Sequence, residues 1–207
     1  AEPLIEMVNF SYSYPDGTGA LRKLNLGIST GEKVAIVGEN GAGKTTLVSC
    51  LMGLRLGRGL YRLNGDGVTE KNRKANCRTV GLVFQDASDQ LFCPTCSEEV
   101  AFGPRQLGLD KDEIARRVES ALQQVGLVGF EERVPLSMSG GERKRLALAA
   151  VLAMQPDVLV LDEPTAGLDP VMRREFLSTV LDEVTARGGT VFMSSHILAE
   201  VERVADT

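Results

Sequence analysis

Apolar positions follow two rhythms along the chain. Ile5 to Phe10 alternates apolar and polar residues, as a half-buried strand does. Val34-Ala35-Ile36-Val37 is a short continuous apolar run, which predicts a strand buried on both faces. Val80 to Phe84, Val158 to Leu161 and Thr190 to Met193 read the same way. Helical spacing predicts helices over Lys44 to Met52, Lys111 to Val125, Gly141 to Met154, Pro170 to Ala186 and Ile197 to Val204. Tyr14-Pro15-Asp16-Gly17 marks a turn. Buried strands alternating with helices predict an α/β fold with a mostly parallel sheet. From Gln85 to Ser137 the alternation stops, leaving helical patterns and loops with no clear buried strand. This predicts a helical subdomain, roughly 86–155, inserted in the α/β core of a single domain spanning 1–207.

Composition narrows the classes. The chain has 207 residues, 43% of them hydrophobic and 25% charged, enough for a sizeable core. The richest apolar stretch, Leu146 to Met154, ends at Gln155-Pro156-Asp157, far short of the roughly 20 residues a membrane span needs. Glu2, Pro3 and Glu6 spoil any leader-like apolar run, so a soluble chain is expected, with any membrane role exerted through a partner. The net charge of −5 argues against broad nucleic-acid binding, and Lys71-Asn72-Arg73-Lys74 reads as a solvated face. Cys93-Pro94-Thr95-Cys96 has the C-x-x-C form, yet there is no second such pair and His196 is the only histidine. Reduced thiols are expected at Cys50, Cys77, Cys93 and Cys96.

Three segments carry chemistry. Gly38-Glu39-Asn40-Gly41-Ala42-Gly43-Lys44-Thr45 fits G-x-x-x-x-G-K-[ST], with Thr46 following, between a predicted strand and a predicted helix. Such a loop lets backbone N–H groups close around phosphates, and the helix N-terminus adds favourable partial charge. Lys44 is placed to reach the β- and γ-phosphates and Thr45 to put its hydroxyl on Mg²⁺. Val158 to Leu161 then leads into Asp162-Glu163, two carboxylates at a sheet's C-terminal edge. Asp162 suits Mg²⁺, and Glu163 suits polarisation of an attacking water. Ser139-Gly140-Gly141-Glu142 precedes a helix and offers N–H groups and a hydroxyl that suit a phosphate. Taken alone, that turn reads better as an ordinary N-cap with a flexible turn.

In order along the chain, Gly38–Thr45, Gln85, Ser139-Gly140-Gly141-Glu142, Asp162-Glu163, Ala166-Gly167-Leu168-Asp169 and His196 resemble the motifs of ABC ATPases. The resemblance covers nearly the whole chain. It implies a P-loop NTPase core with an N-terminal antiparallel β subdomain, and ATP and Mg²⁺ as cofactors. It also implies a head-to-tail dimer in which the Ser139-Gly140-Gly141 turn serves the partner's nucleotide. By position, Tyr14 matches the aromatic that stacks on adenine; alone it also reads as a surface tyrosine beside Pro15. Gln85 matches the glutamine that touches Mg²⁺ and the water, Asp169 the aspartate that couples the two halves, and His196 the histidine at the γ-phosphate. Met138 and Glu142 depart from the family's Leu-Ser-Gly-Gly-Gln, keeping its Ser-Gly-Gly core. The resemblance also implies further strands past the histidine helix, beyond Thr207.

Asp89-Gln90-Leu91-Phe92, Pro94-Thr95, Glu99-Val100-Ala101-Phe102-Gly103-Pro104 and Leu107-Gly108-Leu109 are similar to the ATPases of energy-coupling-factor and cobalt or nickel importers. That implies integral membrane subunits as partners, a peripheral position on the cytoplasmic face of the membrane, and a second ATPase subunit, either a copy of this chain or a relative. The rival reading is an ABC ATPase not coupled to transport. Chromosome-maintenance members need long coiled coils between loop and Ser-Gly-Gly turn, and no sustained heptads occur there. A binding-only module is disfavoured because both hydrolytic positions, Glu163 and His196, are filled.

Overall fold

The computed structural model describes residues 2–197, with Glu200 and Glu202. In chain order the elements are β1 (Ile5–Ser13), β2 (Gly19–Ile28), β3 (Lys33–Val37), α1 (Lys44–Leu51), β4 (Arg58–Leu63), β5 (Asp66–Gly67), β6 (Val80–Val83), α2 (Cys96–Gln106), α3 (Lys111–Gln124), α4 (Gly140–Leu152), β7 (Val158–Asp162), α5 (Pro170–Ala186) and β8 (Thr190–Ser195). The expected helix from Ile197 to Val204 lies largely outside the described residues.

Two four-stranded sheets organise the described residues. One is antiparallel, in the order β2-β1-β4-β5; the other is parallel, in the order β3-β8-β7-β6. The parallel sheet separates two apolar cores. Val158 and Val160 of β7 point into the core shared with α1 and the antiparallel sheet, while Leu159 and Leu161 point into the core under α2 to α5. Period-two geometry therefore explains the continuous apolar run: both faces of β7 are buried. Among the described residues β3 lies at the sheet edge and pairs only with β8, so its side chains are half-buried or exposed. This corrects the expectation of a strand buried on both faces there.

The antiparallel sheet was legible only in part. Ile5 and Met7 are buried, but the alternation slips at Asn9, which takes φ +49° where the pairing register shifts. That bulge turns Phe10, rather than Asn9, into the core. Neither β2 nor β4 was anticipated. In β2 the alternation of Leu24, Leu26 and Ile28 is interrupted upstream by Lys23, also at positive φ.

Between β6 and β7, α2, α3 and α4 pack on one another, which accounts for the strandless stretch. α2 begins where the side chain of Thr95 accepts a hydrogen bond from Glu98 N, and Pro104 falls inside its last turn. Cys96 is fully buried, and its Sγ donates to Met138 Sδ at 3.4 Å. Burial raises the Cys96 thiol above its usual range, and burial followed by the nearby Glu99 raises Cys93. Thiolate, the form that binds metals and attacks disulfides, is therefore disfavoured at both.

Candidate nucleotide site

Four parallel strands in sheet order deliver the predicted motifs to one edge. The Gly38–Thr45 loop follows β3, His196 follows β8, Asp162-Glu163 close β7, and Gln85 follows β6. The loop turns into α1 through Gly43 at φ +94°. A Cβ there would lie 2.8 Å from the carbonyl of Ala20, so a side chain is excluded by both conformation and space. The helix ends then separate by function. Thr95, Asp110, Ser139 and Asp169 cap α2, α3, α4 and α5 with their side chains. α1 has no side-chain cap and no acid in its first turn. Its leading N–H groups, which no helix satisfies internally, are left for an anion.

Lys44 closes the loop from inside. Its Nζ donates to the carbonyls of Gly38 (2.7 Å) and Glu39 (3.1 Å) and lies 3.3 Å from Glu163 Oε1. The other oxygen of Glu163 is 3.1 Å from His196 Nδ1. One carboxylate thus stands between a lysine and a histidine. Glu163 itself takes φ +43°, a left-handed conformation that costs a non-glycine residue about 1–3 kcal/mol. Its N–H donates to the carbonyl and to Oγ of Ser194, which hold that turn. Asp162 is buried, and its Oδ1 accepts from Ser194 Oγ at 2.6 Å.

Beside this cluster lies a cleft of about 550 Å³, lined by Tyr14, Thr18, Gly19, Ala20, Asn40, Gly41, Gly43, Lys44, Thr45, Thr46, Gln85 and Glu163. Tyr14 is fixed in place. Its hydroxyl shares a 2.7 Å hydrogen bond with Thr46 Oγ1, its ring meets Tyr12 edge to face, and the Arg55 guanidinium lies 4.9 Å from the ring centre. Thr45 and Gln85 are exposed, and among the described residues their side chains have no protein hydrogen-bond partner; nor has Oδ2 of Asp162. Oxygen donors of this kind suit a hard divalent cation such as Mg²⁺; Thr45 and Gln85 line the cleft, and Asp162 lies at the same sheet edge without lining it.

Of the predicted site residues, Gly38, Asp162 and His196 adjoin this cleft at the sheet edge without lining it, and Ser139, Gly140, Gly141 and Asp169 do not line it either. Ser139 starts α4 in a capping box: its Oγ accepts from Glu142 N, and its N–H donates to Glu142 Oε2 at 2.7 Å. The turn is expected from its sequence to offer free N–H groups and a hydroxyl to a phosphate. The Ser139 N–H is instead taken by Glu142, while among the described residues the hydroxyl proton has no acceptor. Asp169 Oδ1 accepts from Val171 N and Met172 N, so it caps α5. Sequence reasoning assigned no role to Ser194, Arg55, Lys144 or Glu200. Only Ser194 carried a signal, as the hydroxyl two residues before His196 at the end of a predicted strand.

A phosphate loop and an acidic strand end in one parallel sheet define a P-loop nucleotide-binding fold. A family profile described as ABC transporter matches residues 21–166. The chain belongs to the ABC transporter family. It is 47% identical over 206 residues to the energy-coupling factor transporter ATP-binding protein EcfA of Methanothermobacter thermautotrophicus, covering 98% of this chain and 66% of that protein. It is 44% identical over 206 residues to EcfA of Methanocaldococcus jannaschii, covering 98% and 74%. The solved structure of cbiO1 from Clostridium perfringens, described as part of the ABC transporter complex cbiONQ, matches with a TM-score of 0.89 at 34% identity, covering 99% of this chain and 82% of that one. The chain spans about two thirds of the length of the first of these relatives.

Lys44→Ala removes the cation from the phosphate loop. We predict a loss of about 3 kcal/mol, on the order of a hundredfold, in ATP affinity measured with a fluorescent nucleotide. Near-normal affinity would contradict the role given to Lys44.

Proposed function

We propose that this chain binds ATP with Mg²⁺ and hydrolyses it as the motor subunit of an energy-coupling-factor type importer. The carrying observation is Glu163 held between Lys44 and His196 at the mouth of the cleft. Tyr14 presents its ring to the adenine. The uncapped start of α1 and Lys44 receive the phosphates. Thr45, Gln85 and Asp162 would hold Mg²⁺, which would draw charge from the phosphate oxygens. As γ-phosphate engages Lys44 and His196, both release Glu163 to accept a proton from a water aligned with that phosphate. Gln85, at the end of β6, orients the same water.

Ser139, Gly140 and Gly141 lie outside the cleft that holds Lys44, which supports a head-to-tail pair in which each Ser139 turn closes on the other subunit's nucleotide. Asp169, at the start of α5, serves at that junction. The partner is a copy of this chain or a related ATPase. Glu163→Gln retains the phosphate loop but not the base, so it is predicted to lose hydrolysis by about a hundredfold or more. It is also predicted to accumulate as an ATP-bound pair in size-exclusion chromatography with Mg²⁺. Adding Ser139→Arg abolishes that pair. A Glu163→Gln protein that stays monomeric at saturating ATP contradicts the shared site.

No helix among the described residues is long and apolar enough to cross a membrane. The importer reading therefore needs membrane-embedded subunits, with this chain peripheral on the cytoplasmic face and the cargo, a vitamin or transition-metal ion, selected by them. Phe92 supports a docking surface: it is 67% exposed and meets Phe102 edge to face with ring centres 4.9 Å apart. The loop carrying it is fastened from below, because buried Glu99 accepts from the N–H groups of Phe92 and Cys93. Phe92→Asp should abolish co-purification with the membrane subunits while the ATPase of the isolated chain stays at its wild-type value. Normal assembly by the variant contradicts the docking role.

A further inference from the structure

Arg55 lies just past the end of α1, yet its side chain returns to the nucleotide cleft. Gly53 closes the helix at φ +71°, and the N–H groups of Leu54 and Arg55 both donate to the carbonyl of Ser49, at 3.0 and 3.3 Å. Beyond it Gly57 and Gly59 lie so near β1 that a Cβ on either would strike the carbonyls of Ser11 and Asn9. The segment around Arg55 is therefore pressed onto the strand that carries Tyr12. From there the guanidinium reaches two rings. Its carbon lies 4.9 Å from the centre of Tyr14 and 5.7 Å from that of Tyr12, and Nη1 donates to the Tyr12 hydroxyl at 2.9 Å.

Among the described residues no carboxylate pairs with Arg55. Its charge instead meets aromatic faces, to which a cation is drawn by the ring quadrupole. Tyr14 is thus held at three points: its hydroxyl by Thr46 in the first turn of α1, its ring by Tyr12, and one face by Arg55. A ring has two stacking faces. With Arg55 over one, a base can stack only on the other. The cation also draws π density toward itself and leaves the far face less negative, which suits an electron-rich purine. A ring fixed before the ligand arrives spares binding the cost of ordering it.

We propose that Arg55, held by Tyr12, is a positioning residue of the nucleobase platform, covering one face of Tyr14 so that the other receives the base. Arg55 touches neither base nor phosphate. It acts through Tyr14 alone, so it governs the part of the affinity that comes from the base and leaves the part that comes from the phosphates. This inference rests on the nucleotide reading of the cleft.

The test compares two ligands on the isolated chain by titration calorimetry with Mg²⁺: ATP, and inorganic tripolyphosphate, which has the phosphate chain without the base. Arg55→Met keeps the length of the side chain and loses its charge. Its ATP affinity should fall roughly five- to tenfold, with tripolyphosphate affinity at the wild-type value. Tyr12→Phe keeps the ring and frees the guanidinium, and should shift the same ratio in the same direction. Arg55→Lys, which keeps the cation, should recover most of the loss, a result that a purely structural role would not produce. If Arg55→Met does not fold, Tyr12→Phe and Arg55→Lys decide the outcome. Wild-type ATP affinity in Arg55→Met overturns the inference, and so does an equal loss for both ligands. Tyr14→Ala separates this failure from that of the platform itself: a Tyr14→Ala protein that binds ATP like wild type removes the stacking role and the inference together. A wild-type chain that binds neither ligand removes the nucleotide reading as well.

Discussion

Two carboxylates at the end of a strand buried on both faces pose the problem around which this fold is arranged. Asp162 leaves β7 with its side chain out of water, and Glu163 must turn sharply to leave it at all. An unpaired buried carboxylate would cost several kcal/mol. Ser194, directly opposite Asp162 in the β7–β8 register, resolves both difficulties. Its hydroxyl donates to Asp162, and its carbonyl and hydroxyl oxygens accept the N–H of Glu163. Because β8 lies between β3 and β7, the same strand that steadies the acids brings His196 beside them and the phosphate loop next to it. Parallel strands ending together make one edge of the sheet a single chemical surface.

Much of this could be read from the chain. A buried parallel strand needs apolar residues on both faces, so Val158 to Leu161 declared itself, and the glycine spacing before Lys44 has few uses besides phosphate binding. The positions that misled were those where local pattern and tertiary context disagree. Asn9 breaks the period of β1, and the strand, read as Ile5 to Phe10, continues to Ser13. β3 has the composition of a central strand but lies at the edge of the described sheet. The Ser139 turn reads as offering its N–H groups, yet Glu142 folds back on it in a capping box, which the Ser-x-x-Glu spacing signals in the sequence itself. Lys144 and Glu200 carried no signal, since Lys144 bonds backbone carbonyls 20 and 22 residues away and Glu200 receives Thr165 from 35 residues away.

The contrast between helix ends connects these details to mechanism. α1 keeps its N-terminus uncapped beside Lys44, the arrangement of a site that meets its phosphate alone. α4 carries a serine cap whose N–H is already committed to Glu142. A cap of that kind is too weak to hold a nucleotide unaided and suits a second contact, made when two subunits meet. In the proposed pair Glu142 places negative charge close to where the partner's phosphates would arrive, so the contacts that hold the nucleotide fall to the phosphate loop and Lys44 of the opposite subunit.

Dependence of hydrolysis on a second subunit is the centre of this account, and the specific ATPase activity of the purified chain across a wide range of protein concentration tests it most directly. At saturating ATP and Mg²⁺, activity per subunit should rise with concentration and level off once pairs predominate. Specific activity that stays constant down to concentrations where the chain is demonstrably monomeric would contradict it.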